Sequence, residues 1–398
     1  MRRVYGGKAE AMPRPPGTPG LIRELNDRTA LDLMLAHGPL TKTRLGELTG
    51  LSKVTASQLL TRLGARGLVH VVGAQGGGRG PNAALYAVVP SSGYVAGLHI
   101  GPDTVMTAVA DITGEIVSQV SVDPTADPDP VSVVRGAVAK AARRAGVSMS
   151  RLSCLAIGTP GMVDPEAGDL RYAYDLPAWH EGLLTALRGS FRRPVLIEND
   201  VNLAALAERA AGASQGVDDF VLLWVGRGIG LAVVLDGRLH RGVSGGAGEI
   251  GYLPVPGGPL PRGIRRPRHA AFQSLVGADG VRRLAREHGI RRGEATDCVR
   301  VALAEPERGE PFLHELALRL ATGLTSVCVV LDPGLCILAG EIGLAGGADL
   351  AVRVESAIAE MGPSRMQVVV GEVTDDAVLH GAVLIGLETA RDAVFSGH

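Results

Sequence analysis

The sequence predicts an α/β protein headed by a winged helix-turn-helix, on three observations. Residues 1–90 hold 12 Lys or Arg against 5 Asp or Glu, while residues 91–398 hold 28 against 36, so a formal total of −1 hides two parts of opposite sign. No carboxylate lies between Glu47 and Asp103, a stretch that carries Lys53, Arg62, Arg66 and Arg79. From Tyr94 onward, strand-like and helix-like patterns alternate. A basic module favours phosphates through Coulomb attraction and counterion release, and an acidic one does not. DNA binding is therefore expected of the first quarter.

At 398 residues the chain has room for two or three cores. It contains no run of about 18 consecutive apolar residues, and Met1 to Lys8 has no apolar stretch behind it, so neither a spanning helix nor a secretory signal is expected and the location is expected to be cytoplasmic. Cys154, Cys298, Cys328 and Cys336 show no CxxC spacing. They read as buried reduced thiols, not as disulfides or metal ligands.

Residues 1–20, rich in Pro, Gly and Arg, are expected to be a flexible tail. Residues 21–90 form the winged helix-turn-helix. Leu21, Ile22, Leu25, Leu31, Met34 and Leu35 recur at helical spacing until Gly38-Pro39 stops the helix. Thr41 caps a second helix that ends at Gly50, and Ser52 caps a third through Arg66, closed by Gly67. In that third helix Ala56, Leu59, Leu60 and Leu63 face inward. Lys53, Val54, Ser57, Gln58, Thr61 and Arg62 lie on the free side, where a major groove would meet them. Leu68–Val72 and Ala83–Val89 read as two strands around a glycine-rich wing whose Arg79 would reach a minor groove or a phosphate. The candidate DNA contacts are Thr41, Ser52, Lys53, Val54, Thr55, Ser57, Gln58, Arg62 and Arg79. A three-helix interaction module with solvated basic residues is the alternative.

Residues 91–398 make the larger body. Tyr94–Ile100 and Val105–Asp111 read as a hairpin, Val131–Ala145 as a helix, and Leu155–Ile157 as a strand before the turn Gly158-Thr-Pro-Gly161. Pro194–Ile197 is a strand, followed by Glu198-Asn-Asp-Val-Asn202 and a helix from about Ala204. Phe220–Val225 and Gly230–Leu235 form a second hairpin around a glycine turn. Polar groups at the carboxyl end of a buried strand sit where α/β folds bind ligands. A carboxylate there accepts a hydroxyl proton or holds the hydroxyl by a hydrogen bond. Helix capping by Asn and Asp explains the same residues equally well.

The order of Gly158-Thr-Pro-Gly161, Asp175-Leu-Pro-Ala-Trp179, Glu198-Asn-Asp-Val-Asn202, Gly226-Arg-Gly-Ile-Gly230, Leu235-Asp-Gly-Arg-Leu-His-Arg-Gly242, Gly246-Ala-Gly-Glu-Ile-Gly251 and Leu331-Asp-Pro333 with Ala339-Gly340 resembles the ROK family of repressors, open reading frames and sugar kinases. With the winged helix, the chain is similar to a ROK transcriptional regulator. The resemblance implies a two-lobed, actin-like or ribonuclease H-like domain with a sugar in its cleft. In the family's kinases the residue matching Asp200 is the catalytic base, and those matching Asn199 and Glu249 hold sugar hydroxyls. The implied effector residues are Asp175, Asn199, Asp200, Glu249, Tyr252 and Gln273. Tyr252 stands for the family's His and Gln273 for its Glu.

The departures from the family are as informative. The family's zinc loop corresponds to Pro261-Arg-Gly-Ile-Arg-Arg-Pro-Arg-His269, which has no cysteine. Zinc needs three or four such ligands, so no metal and no cofactor is expected. The Arg262–His269 stretch reads as a solvated loop or an anion site. The first phosphate motif is replaced by His99-Ile-Gly101-Pro102-Asp103, and Arg227 stands for Thr in the second, which removes groups that position metal and phosphate. Catalytic residues are therefore not expected.

These features point to a DNA-binding regulator of carbohydrate genes, expected to act as a repressor. Its partners would be double-stranded operator DNA bearing an inverted repeat, a sugar or sugar phosphate effector, and further copies of itself as a homodimer or dimer of dimers, with no membrane. A sugar kinase with a DNA-binding appendage is the alternative. A constitutive DNA binder with a vestigial sugar domain is opposed by the intact Asn199, Asp200 and Glu249.

Overall fold

A computed structural model describes residues 19–76, 82–125, 127–172, 182–258, 271–291, 293–363 and 365–396. The chain divides into two units, residues 1–92 with 391–398, and residues 93–390. The last residues thus group with the winged unit, not with the body to which a division at residue 90 assigns them. Most of the expected N-terminal tail lies outside the described residues.

In the first unit α1 (Pro19–His37), α2 (Lys42–Thr49) and α3 (Lys53–Ala65) bury Ala30, Leu31, Met34, Leu45, Leu59, Leu60 and Leu63. The helix starts follow from local chemistry. The Thr41 hydroxyl accepts from the Arg44 amide at 3.2 Å and the Ser52 hydroxyl from the Thr55 amide at 3.2 Å. Such caps satisfy amides that a helix start leaves unpaired. The short β1 (Leu40–Thr41) pairs with β3 (Ala83–Val88), which pairs in turn with β2 (Val69–Gln75), all antiparallel. The wing is therefore three-stranded; its outer strand is two residues long and leaves no periodicity to read.

The second unit is a duplication. β4 (Tyr94–Ile100) runs antiparallel to β5 (Val105–Asp111), which pairs with β6 (Ile116–Val122). On its other side β4 lies parallel to β7 (Leu152–Thr159), and β7 parallel to β10 (Val195–Asn199). A small ribbon of β8 (Met162–Val163) and β9 (Leu170–Tyr172) follows β7. The second sheet repeats the plan. β11 (Phe220–Val225) pairs antiparallel with β12 (Ile229–Leu235) and β12 with β13 (Arg238–Leu239), while β11, β14 (Leu335–Ala339) and β15 (Gln367–Val370) are parallel. This is the two-lobed actin-like architecture.

Helices α4 (Pro130–Arg144) and α5 (Leu183–Ser190) cover the first sheet through Val134, Val138, Ala141, Leu184 and Leu187. The second is covered by α7 (Phe272–Val276), α8 (Ala278–Glu287), α9 (Ala295–Ala304), α10 (Pro306–Leu331) and α11 (Gly340–Met361). By length and composition α10 is apolar enough to cross a membrane, but Phe312, Leu316, Leu320 and Leu324 build the core of this lobe. All four cysteines are buried free thiols.

Between the sheets lie α6 (Asp200–Ala211) and the start of α12 (Ala377–Ser396), whose Leu203, Ala204, Val378 and Ala382 pack with Ala156, Phe220 and Leu222. Close approach requires glycine here. A Cβ added to Gly97 would overlap Val383, and one on Gly158 would overlap Leu203 and Val378. Helix α6 begins at Asp200, a turn before the expected Ala204, because Asn199 caps it. That shift places Asp200 in the first turn of a helix, at the carboxyl end of a parallel strand.

Candidate functional site

On the winged unit, α3 presents Lys53, Val54 and Gln58 to solvent, and Val54 is 67% exposed. A methyl-bearing side chain in that position can contact a thymine methyl. Thr41, Ser52 and Thr55 have local duties instead. Thr41 is buried and caps α2, while the Ser52 hydroxyl caps α3 and lies 2.9 Å from that of Thr55. Ser57 is half-buried. Arg62 departs from its expected place on the free face. Its guanidinium donates to the buried Asp27 at 2.5 Å, tying α3 to α1. Arg66 joins the same cluster, 4.0 Å from Asp27, and donates to the carbonyls of Val394 and Phe395 at 3.2 and 2.7 Å. Neither partner is close in sequence, so a helical wheel could not find them. Arg79 lies outside the described residues.

In the second unit the polar groups gather at the carboxyl ends of β4, β10, β11 and β14. Glu198 is 6% exposed. Its Oε1 accepts from the Asn199 amide and from Asn202 Nδ2, each at 2.9 Å, and its Oε2 accepts from Arg241 Nε at 2.7 Å. Asn199 caps α6 through Asn202 N at 3.1 Å and donates its own amide to the Gly161 carbonyl at 3.0 Å. Asp200 Oδ1 accepts from the Val201 amide at 2.9 Å, and its carboxylate is bonded to no side-chain donor among the described residues. Neither is the carboxylate of Glu249. Burial pushes the Asp200 carboxyl above its ordinary range, Glu341 adding to the rise while His99 and the Val201 amide oppose it. Glu249 is raised by burial and by the charge of Asp200. The charge of Asp200 is thus felt at Glu249.

His99, at the end of β4, replaces the acidic residue expected there in a kinase. Its Nδ1 lies 2.8 Å from Asp376 Oδ1, and the same oxygen accepts from the Leu379 amide at 3.0 Å at the start of α12. Burial works to lower the imidazole's pKa, but the hydrogen bond and charge of Asp376, with Asp200 and Glu341 behind them, raise it overall. For Asp376, burial acts upward, and the bond to His99 brings the pKa below the ordinary range. Both shifts favour the imidazolium–carboxylate form of this pair, whose members stand 277 residues apart in sequence. Sequence reasoning missed this pair and the Glu198–Arg241 pair for the same reason: each joins distant segments.

Not every implied effector residue turns to the cleft. Gln273 Oε1 accepts from the Ile229 amide at 2.8 Å and its Nε2 donates to the Arg227 carbonyl at 3.4 Å, so it braces the glycine turn and both ends of its amide are engaged. Tyr252 is half-buried in the short turn that follows Glu249. Asp175 and the Arg262–His269 stretch lie outside the described residues. Among the described residues no group of three His, Cys, Asp or Glu is arranged to hold a metal ion.

A winged helix in one unit, and in the other a duplicated five-stranded fold with Asn199 and Asp200 at a strand end and Glu249 at the start of a short turn, define a two-part protein of the actin-like class. The chain belongs to the ROK family, whose profile matches residues 95–388, and a MarR family profile matches residues 25–80. It is 28% identical over 244 residues to the xylose repressor of Caldicellulosiruptor bescii, an alignment covering 60% of this chain. The chain spans 61% of that relative's length. Among solved structures, a ROK hexokinase from Thermus thermophilus is 29% identical with a TM-score of 0.61, covering 73% of this chain and 97% of the other. A ROK family transcriptional regulator described as a homologue of the Escherichia coli MLC protein superposes with a TM-score of 0.74 at 21% identity, over 94% of this chain and 98% of the other, and supports the fold.

Two outcomes are expected from this geometry. Arg62→Ala leaves Asp27 buried with only Arg66 at long range, and should destabilise the winged unit by about 1 to 3 kcal/mol. Urea unfolding followed by a probe in that unit would measure it, and an unchanged midpoint would return Arg62 to the free face. The second concerns pH. His99 has a raised pKa, so the pair's contribution is complete below the ordinary value of 6.5 and is lost as pH rises through the folded value; Asp376 has a lowered pKa, so its contribution is lost only in acid. Melting temperatures of the native chain and His99→Gln should therefore converge as pH is raised from 6.5 toward 9. Curves that stay parallel across that range would exclude an ionised pair.

Proposed function

We propose that the chain is a transcription regulator, a repressor of carbohydrate genes, that binds operator DNA through α3 and the wing and a sugar effector through Asn199, Asp200 and Glu249. The observation that carries this reading is the presence in one chain of a MarR-type winged unit with Lys53, Val54 and Gln58 exposed and a ROK domain that keeps Asn199, Asp200 and Glu249. The likeness to a xylose repressor supports both halves. Two copies on an inverted repeat would present two α3 helices to successive major grooves, and a cytoplasmic location goes with that role. The effector acts by differential affinity for two arrangements, worth about 1 to 3 kcal/mol in typical allostery.

The likeness to a ROK hexokinase favours a second reading, a sugar kinase with a DNA-binding appendage. Three observations argue against it. His99 is paired with Asp376 where a metal-organising carboxylate is needed, the Gly101 amide is bonded to the Thr104 carbonyl at 2.9 Å, and the Ile229 amide of the second turn is held by Gln273. We also propose that the chain carries no structural zinc, because Tyr252 replaces the family's His and the loop to His269 holds no cysteine.

The test is an effector titration of protein bound to DNA selected from a random pool. Asn199 holds the cap of α6, so Asp200→Asn should keep the fold and the DNA affinity while effector affinity falls by about one to two orders of magnitude. An unchanged midpoint would remove Asp200 from the site. In parallel, Lys53→Ala should lower the salt slope of DNA binding by about one unit. A slope equal to that of the native chain would take Lys53 off the phosphates.

A further inference from the structure

We infer that the lobe built on the first sheet carries a second ligand site, for a small phosphorylated molecule, in a basic cavity between α4 and the amino ends of β7 and β10. The site is separate from the polar one described above. Ser150 lies just before β7 and Arg193 just before β10, whereas Asn199 and Asp200 lie at the other end of β10. The cavity measures about 970 Å³, and Arg135, Gly136, Met149, Phe191, Arg192 and Arg193 are among the residues that line it. That volume is in the range of small-molecule pockets. Residues 130–163 hold five Lys or Arg and residues 182–197 hold three, with no Asp or Glu in either stretch, although residues 91–398 carry 36 acidic residues against 28 basic ones. The two stretches share one core, Val134, Val138 and Ala141 of α4 with Leu184 and Leu187 of α5. That packing brings three guanidiniums to one cavity.

No carboxylate lines this cavity. Asp129, just ahead of α4, is committed to its cap and accepts from the Val131 and Ser132 amides and the Ser132 hydroxyl. Arg193 donates to the Ser150 carbonyl at 3.0 Å, which ties the starts of the two strands together. Arg135 and Arg192 are exposed and make no hydrogen bond or salt bridge among the described residues. Gly136 supplies an independent reason. It sits inside α4, and a Cβ added there would meet nothing within 4 Å. Packing therefore does not require glycine, which weakens a helix interior relative to alanine. Its missing side chain bares the helix backbone on the cavity wall, as the close approach of a ligand needs. Guanidiniums grip phosphate through paired donors in one plane. Ser190 adds a hydroxyl, and Met149 and Phe191 offer apolar surface to the rest of the molecule. A sugar phosphate or a nucleotide fits that chemistry. A duplex, with its phosphates spread along a convex rod, has no use for the concavity or its apolar wall.

Calorimetry on the full chain with inorganic phosphate, glucose 6-phosphate and AMP tests this. At least one of the two organic phosphates is expected to bind with a dissociation constant below about 1 mM, and more tightly than inorganic phosphate. Whichever binds better names the source of the phosphate group. Arg135→Gln and Arg192→Gln, each alone, should weaken that binding by about tenfold or more. Gly136→Glu, which places a side chain and a negative charge in the cavity, should abolish it. All three positions are exposed, so the melting temperature should hold; should one variant fail to fold, the other two carry the test. Binding of equal strength in the native chain and every folded variant puts the phosphate elsewhere and overturns the inference. No binding of any of the three compounds at about 10 mM overturns it as well. Weaker binding of mixed-sequence duplex DNA by the arginine variants, with no phosphate compound bound, also overturns it and makes this face a nucleic-acid surface.

Discussion

The second unit depends on the burial of one charge. Glu198 sits at 6% exposure at the end of a parallel strand, and a carboxylate so placed must have its oxygens satisfied or it would protonate or unfold the region. Its partners are the Asn199 amide, the Asn202 side chain and Arg241. Those three lie on the strand end, on α6 and on the segment that leads to Glu249. Matching the charge therefore fixes the distance between the two halves of the polar site. Asn199, with its oxygen on Asn202 and its nitrogen on Gly161, extends the same clamp to the turn after β7. Asp200, the residue after Asn199, is held at the strand end by this clamp.

The winged unit uses the same device. Asp27 is buried in α1, and its charge is answered by Arg62 on α3 and by Arg66 just past its end. The helix expected to carry basic groups outward thus commits Arg62 to Asp27, and leaves Lys53, Val54 and Gln58 toward its amino end for other work. Buried ion pairs add little net stability over an apolar packing, but breaking one is expensive. Here they set which face of α3 points away from the unit.

Much of this organisation was legible in the chain. The winged unit was readable because its signals are local: Thr41 and Ser52 before the helices, glycines at 50 and 67 after them, and a four-residue apolar set on α3. Asn199, Asp200 and Glu249 were readable only through the ordered family motifs, since Asn and Asp at a strand end cap helices as readily as they hold ligands. The duplication of the two sheets was not readable, because β7, β10, β14 and β15 join their sheets across long helical crossovers and leave only short apolar runs. The role of Gln273 as a brace, the inward turn of Arg62 and the His99–Asp376 pair were hidden for a related reason. Each depends on a partner 35 to 277 residues distant, and no periodicity reports such a contact.

The winged unit is closed by the far end of the chain. Phe395 is 2% exposed and lies under the Arg28 guanidinium at 5.3 Å; Asp392 pairs with Arg28 at 2.6 Å, and Arg66 holds the carbonyls of Val394 and Phe395. A ribosome that has finished the first 92 residues has therefore not yet made the whole unit. At about 5 to 20 residues per second, the missing piece follows on the order of tens of seconds later. A nascent chain cut short at any point before that carries the winged unit without its final strap, so the order of synthesis completes this unit only after the larger one behind it has been made.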